Sequence, residues 1–242
     1  MEEKDIMISR LKDLALRRDK VNYCLFSPFL SPDILPDAKG IGKVLYWGGY
    51  PEAERVVAAF LPDWMGDEDV EWPISLIIAS PTDGKIYNHR DYLGSLMALG
   101  IKRQVLGDII VDGATAYLFC LESIEDFILN NFTQVAGATV KLEKAQNTCA
   151  LPERKFEDIS GTAASERLDC IVALAANTSR TKAAEFITSG NVMVNNRETL
   201  KTTYIMKKGD RFSIRGRGKF IYDGEKGTTK KGRIVAGIRK YV

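Results

Sequence analysis

Apolar positions in this chain recur with two periods. Between Ile6 and Leu16, apolar residues at Ile6, Leu11, Leu14 and Leu16 stand among charges, a spacing that predicts an amphipathic helix. Pro28, Pro32 and Pro36 cut the next stretch into short pieces. Lys43–Trp47 reads as a strand, followed by Gly48-Gly49-Tyr50-Pro51-Glu52-Ala53-Glu54-Arg55. Pro51 suits a first helical turn, and Glu52 and Glu54 complement its dipole. The two glycines can form a phosphate-binding nest or a tight strand-to-helix turn. Acids in that turn would repel an anion, so the tight turn is the preferred reading.

From Trp72 the pattern is regular. Ile74–Ser80 is an apolar strand, and Asn88 can cap a helix running through Leu99 with Asp91 in its first turn. Gly107–Val111 and Ala116–Leu121 are strands joined at Asp112-Gly113, a hairpin signal. Ser123 caps a second helix through Phe132, and Ala138–Glu143 is the last strand. This β-α-β-β-α-β order predicts a ferredoxin-like plait, of the kind RNA-recognition motifs use, over residues 71–148. A partly helical region, 1–70, precedes it. Tyr117 and Phe119 share one strand face; core packing explains such a pair more often than base stacking. The Gly- and Phe-rich RNA-reading motif is not recognisable. Residues 149–164 hold Pro152, several charges and Gly161 without a sustained period, and read as a linker.

Residues 165–242 look like a third module. Glu166–Gly218 predicts a helix, a tight connection, a second helix from Ser179 to Gly190, then basic β-structure. Ser179 is an N-cap residue type and Gly190 a stop signal. Yet Arg180 and Lys182 occupy the first turn, where acids would be favoured by roughly 0.3–1 kcal/mol. A broken local rule marks a candidate functional site. Free N–H groups of that turn and the two cations would form one anion site. In Arg211-Phe212-Ser213-Ile214-Arg215, alternation buries Phe212 and Ile214 and leaves Arg211 and Arg215 on the other face. Arg217 and Lys219 follow in a glycine-rich turn. Lys230 and Lys231 lie in a second basic turn, Thr228–Arg233, before a final strand through Ile238.

Four spaced blocks of this module carry a resemblance: Arg167-Leu168-Asp169, Ser179-Arg180-Thr181-Lys182-Ala183, Gly190-x-Val192-x-Val194-Asn195 and Gly209-Asp210. Together they resemble the S-four RNA-binding domain. The usual Asn-Gly turn is replaced by Asn195-Asn196; asparagine tolerates left-handed backbone, so the hairpin is expected to persist. By motif position, the resemblance implies that Arg167, Ser179, Arg180 and Lys182 contact rRNA. Arg211, Arg215, Arg217 and Lys219 rest on charge instead.

The net charge of +2 hides an asymmetry. From Gly161 onward there are 17 Lys and Arg against 7 Asp and Glu. That part carries roughly +10 and the remainder roughly −8. A basic C-terminal module on an acidic body points to a polyanionic partner at one end, although solvated lysines in excess give the same count. The length suits one large or two to three small domains, with an ordinary apolar fraction. No apolar run approaches the ~20 residues of a membrane span, and the charged N-terminus lacks a signal-peptide core, so a cytoplasmic protein is expected. Cys24, Cys120, Cys149 and Cys170 are scattered and read as reduced and structural. The single histidine, His89, makes a His-rich metal site impossible. As a general base it lacks an identifiable partner, and a structural role near the helix start is preferred. Arg90 and Arg103, flanking the same helix, are better candidates for phosphate contacts.

No Walker loop, nucleophile elbow, dinucleotide fingerprint or metal cluster is present. S-four modules also occur on pseudouridine synthases, rRNA methyltransferases and tyrosyl-tRNA synthetases. An RNA-modifying enzyme with an unrecognised N-terminal site, or a cell-division protein acting through protein contacts, therefore remain alternatives. The N-terminal blocks look different. Gly48-Gly49-Tyr50-x-x-Ala53-Glu54-Arg55, His89-Arg90-Asp91-x-Leu93-Gly94-x-Leu96, Leu99-Gly100-Ile101-x-Arg103 and Gly107-Asp108-Ile109 resemble the YlmH/RqcP family, as does Thr229-Lys230-Lys231-Gly232-Arg233. That resemblance implies a non-enzymatic, cofactor-free RNA-binding factor of ribosome-associated quality control. It would bind large-subunit rRNA and P-site peptidyl-tRNA as a monomer. It would hold the tRNA while a partner of the RqcH/NEMF type recruits alanyl-tRNA, and alanines are added to the stalled chain without a template. The expected fold is α+β: a helical N-terminal segment, the plait, and an S-four-type αα-β module.

Overall fold

Helix α1 (Glu3–Arg18) forms where the first apolar period was read. Leu11 is fully buried, and Met7, Ile8, Leu14 and Ala15 pack beside it on Leu30, Ile34, Ala38, Ala58 and Phe60. Ile6 and Leu16, expected on that face, are exposed, because the buried stripe runs through Met7 and Leu11 instead. This is a computed structural model. It describes residues 3–18, 20–38, 41, 43–145, 150–153, 156–230 and 232–241, and divides into two units, Met1–Pro152 and Glu153–Val242.

In the first unit, strand β1 (Leu25–Phe26), helix α2 (Leu35–Ala38), β2 (Val44–Trp47) and β3 (Val57–Phe60) follow α1. They build a small antiparallel sheet of order β1-β3-β2. The helix expected at Pro51 does not form. Residues 50–55 make turns between β2 and β3, because Asp108 of a later strand takes the N–H groups of Glu54 and Arg55, at 2.7 and 3.2 Å.

The rest of the unit runs β4 (Ile74–Pro81), α3 (His89–Ala98), β5 (Leu106–Asp112), β6 (Thr115–Leu121), α4 (Glu125–Asn131), the short β7 (Gln134–Val135) and β8 (Ala138–Lys144). The sheet order is β5-β6-β4-β8-β7, and every pairing is antiparallel. Asn88 caps α3, with Asp91 reciprocating to the Asn88 N–H. Ser123 does not cap α4, since residues 122–124 are themselves a 3-10 turn leading into it. One sheet face, with Ile77, Ala79, Ala116, Leu118 and Cys120, packs under Tyr92, Leu96, Ile128 and Phe132 of the helical layer. On the other face Phe119 is buried against Phe29, Tyr50 and Val57, and its ring stacks on Tyr50 at 5.1 Å. Phe119 is therefore a core residue, with Tyr117 half-buried.

The second unit opens with β9 (Phe156–Ala163), within the stretch read as a linker. It is a mostly polar edge strand, which is why no apolar period announced it. Helices α5 (Leu168–Ala175) and α6 (Arg180–Thr188) follow. Then come β10 (Val192–Val194), β11 (Arg197–Glu198), β12 (Arg211–Ile214), β13 (Gly218–Thr228) and β14 (Ile234–Tyr241). The sheet order is β11-β10-β12-β13-β14-β9. Leu168, Ile171, Val172, Ala183 and Ile187 of the helices pack on Phe212, Ile214, Phe220, Tyr222 and Ile238 of one sheet face. Gly161 makes room for this layer: a Cβ there would meet a Leu174 methyl at 2.4 Å. Asn195 and Asn196 both have positive φ, 50° and 63°, and the hairpin between β10 and β11 is present. Among the described residues, no helix is long and apolar enough to cross a membrane.

Candidate nucleic-acid interface

The site is built around a carboxylate. Asp169 sits in the first turn of α5 with its side chain almost wholly buried. Arg167, the N-cap residue of α5, donates to both of its oxygens, from Nε at 3.1 Å and Nη2 at 2.9 Å. Arg180, the first residue of α6, donates from Nε to Oδ2 at 3.0 Å, and its Nη2 lies 2.9 Å from the same oxygen in an ion pair. Burial pushes the Asp169 carboxyl upward, but the hydrogen bonds from Arg167 and Arg180 outweigh it and hold the pKa below the usual range. The two guanidinium groups stay accessible, with side chains 33% and 52% exposed. Asp169 thus fixes the direction of both arginines, while their outer edges face solvent.

Beside this pair, Ser179 caps α6 by accepting from the Lys182 N–H at 3.2 Å. Lys182 is exposed and makes no ion pair among the described residues. The first turn of α6 therefore presents two cations and no acid, against its own dipole. The start of α5 differs: Leu168 and Asp169 donate their N–H groups to the carbonyls of Tyr204 and Thr202. Arg167, Ser179, Arg180 and Lys182 are thus brought to one end of the helical layer.

The remaining cations are placed elsewhere. Arg211 lies on the sheet face opposite the helices, since Phe212 and Ile214 alternate inward. Cross-strand pairing puts Lys219 there opposite Ser213, and Arg239 opposite Ile221. Arg239 reaches Asp223 at 3.0 Å and lies over the Phe156 ring at 5.0 Å. Alternation along the last strand could have revealed Arg239 in the sequence. Arg215 and Arg217 are exposed in the turn between β12 and β13. Arg217, with Lys240, rims a groove of about 520 Å³ along the C-terminal end of α5. Lys230 is exposed beyond β13, and Lys231 lies outside the described residues.

The other motif blocks are structural. Asp210 accepts from the Lys207 N–H at 2.8 Å and from the Asn195 side-chain amide at 2.9 Å, tying the β10–β11 hairpin to β12. In the first unit, Asp108 takes the Tyr50 hydroxyl at 2.7 Å as well as the Glu54 and Arg55 N–H groups. Arg90 is exposed in the first turn of α3. Arg103 is not an open surface cation. Its Nη1 donates to the carbonyls of Leu106 and Gly107, at 2.8 and 3.0 Å. Burial pushes the Cys120 thiol up to about 12, so it offers no nucleophile.

The second unit sets exposed cations at the start of α6 and on one sheet face, an arrangement that suits a polyanionic partner. Residues 68–149 match the family described as "Putative RNA-binding domain in YlmH". The chain is 33% identical over 186 residues to the "Ribosome-associated protein quality control protein P2" of Bacillus subtilis (strain 168), covering 76% of this chain and 72% of that protein. It belongs to the YlmH family. In structure it resembles the "Cell division protein ylmH from Streptococcus pneumoniae", with a TM-score of 0.53 and 18% identity, covering 61% of this chain and 94% of that one.

Proposed function

We propose that the protein binds the large ribosomal subunit in ribosome-associated quality control, contacting rRNA and the P-site peptidyl-tRNA without making or breaking a bond. It would hold the tRNA while a factor of the RqcH/NEMF type directs untemplated alanine addition to the stalled chain. The carrying observation is the start of α6, where Arg180 and Arg167 are aimed by one buried carboxylate and Lys182 makes no ion pair among the described residues. Folded RNA presents phosphates in fixed positions, and guanidinium forks held in fixed directions read them without base contacts. The name of the Bacillus subtilis relative and the family's RNA-binding domain support the same reading.

Arg180→Ala tests it. Affinity for ribosomal subunits should fall, and the dependence of log K on log salt should flatten by about 1 for a single lost phosphate contact. Folding should persist, because Arg167 still pairs Asp169. An unchanged sedimentation profile with subunits would count against Arg180 as a contact.

A further inference from the structure

We propose that a pocket in the first unit binds a phosphate group, received by the guanidinium groups of Arg55 and Arg103. The pocket holds about 430 Å³ and is lined by Met7, Asp33, Ile34, Arg55, Arg103 and Gln104, among others. Both guanidinium groups converge on one atom: the Leu106 carbonyl oxygen accepts from Arg55 Nε at 3.0 Å and from Arg103 Nη1 at 2.8 Å. The remaining bonds of Arg55 go from Nη2 to the carbonyls of Phe29 and Arg103, each at 3.2 Å. Arg103 adds the Gly107 carbonyl at 3.0 Å. Every acceptor is neutral.

Two cations therefore meet at one oxygen without an ion-pair partner among the described residues. Arg55 is only 9% exposed. Buried charges are ordinarily paired, and like charges in contact repel. Burial, and then the neighbouring Arg103, bring the Arg55 pKa down to about 10, with Asp108 and Asp33 opposing. Neither acid completes the site. Asp108 spends its oxygens on Tyr50, Glu54 and the Arg55 backbone N–H, and Asp33 is exposed on the rim. Lys4 also lines the pocket and is engaged by Asp37 at 2.7 Å. A compact anion with several acceptor oxygens fits this pair of cations, because guanidinium forks bind such a group in pairs of hydrogen bonds. A phosphate meets that description, whether from an RNA backbone or from a small phosphorylated molecule. Arg103 lies within the stretch that matches the family's RNA-binding domain. The pocket involves no residue of the α6 cluster, so it stands apart from the reading above.

The full chain is melted in increasing inorganic phosphate, with chloride at equal ionic strength as control. Phosphate should raise Tm progressively, because it binds the folded state. Gln104→Glu places a carboxylate in the pocket while removing none of the arginine bonds, and should weaken apparent phosphate affinity by about tenfold or more. Its own Tm in chloride reports that it folds, and Ser31→Asp, at another lining position, repeats the test. Arg180→Ala should keep the part of the phosphate response that Gln104→Glu and Ser31→Asp remove, so failure at α6 and failure here are distinguishable. A short oligoribonucleotide and a nucleoside monophosphate, each titrated in place of phosphate, identify the source. A response to the first marks an RNA backbone; a response to the second alone marks a small ligand. No phosphate-dependent shift in the parent chain, or an equal shift in Gln104→Glu and Ser31→Asp, would overturn the proposal.

Discussion

The carboxylate of Asp169 and the guanidinium of Arg180 lie eleven positions apart in sequence and 2.9 Å apart in space. Their bond joins the start of α5 to the start of α6. It also decides which way Arg180 points, so a nearly buried acid sets the geometry of the residue proposed to contact RNA.

Asp169→Asn should therefore weaken subunit binding nearly as much as Arg180→Ala, with a loss of stability of about 1–2 kcal/mol, discounted for the exposure of both arginines. The pKa of Asp169 is depressed in the folded state. Its contribution is thus complete above the unfolded value of about 3.9 and disappears as pH falls through the folded value. Urea melts of the two proteins should differ at pH 7 and converge in acid. Equal separation at both pH values would contradict the assignment.

Asp108 accepts three hydrogen bonds from the 50–55 turn. Asp108→Ala should strip them together and cost about 1–3 kcal/mol, as expected of a partly buried network losing its centre. The loss should appear in melting of the first unit, with the subunit binding proposed for α6 kept in an assay at low temperature.

Gly48 tests the same turn from the other side. A Cβ at that position would sit 2.3 Å from the Arg55 carbonyl oxygen and 2.4 Å from the Ala53 Cβ. Backbone cannot yield as a side-chain tip does, so Gly48→Ala should destabilise by about 1–3 kcal/mol in chemical denaturation. A neutral result would mean that the turn has room which the geometry does not show.

The hairpin at Asn195-Asn196 predicts the opposite sign. Both residues adopt left-handed backbone, which glycine enters freely. Asn196→Gly should be neutral or stabilising by up to about 1 kcal/mol, read from the denaturation midpoint.

Much of this architecture was legible in the residues. The strand alternation of Ile74–Ser80, the Asn88 cap with Asp91, the Asp112-Gly113 turn and the Ser179 start of α6 are local signals, and local chemistry decided them. What escaped was settled at a distance. Strand β9 is mostly polar, and only its pairing with β14 makes it a strand. Pro51, Glu52 and Glu54 spell a helix start, yet Asp108 claims the N–H groups that follow. The Arg167–Leu168–Asp169 block could be noticed as a motif, but not that its acid holds Arg180. Arg103 was visible as a cation; that Leu106 turns it toward Arg55 depends on a fold-wide juxtaposition.

Strand β9 has β14 as its neighbour, and about seventy residues separate them along the chain. During translation β9 must emerge long before the segment that completes it. Until residue 241 has left the exit tunnel, the nascent second unit has an unmatched edge and an unfinished layer over α5. A product truncated upstream of that point would be an early target for proteases, so active copies would come only from ribosomes that had read through it.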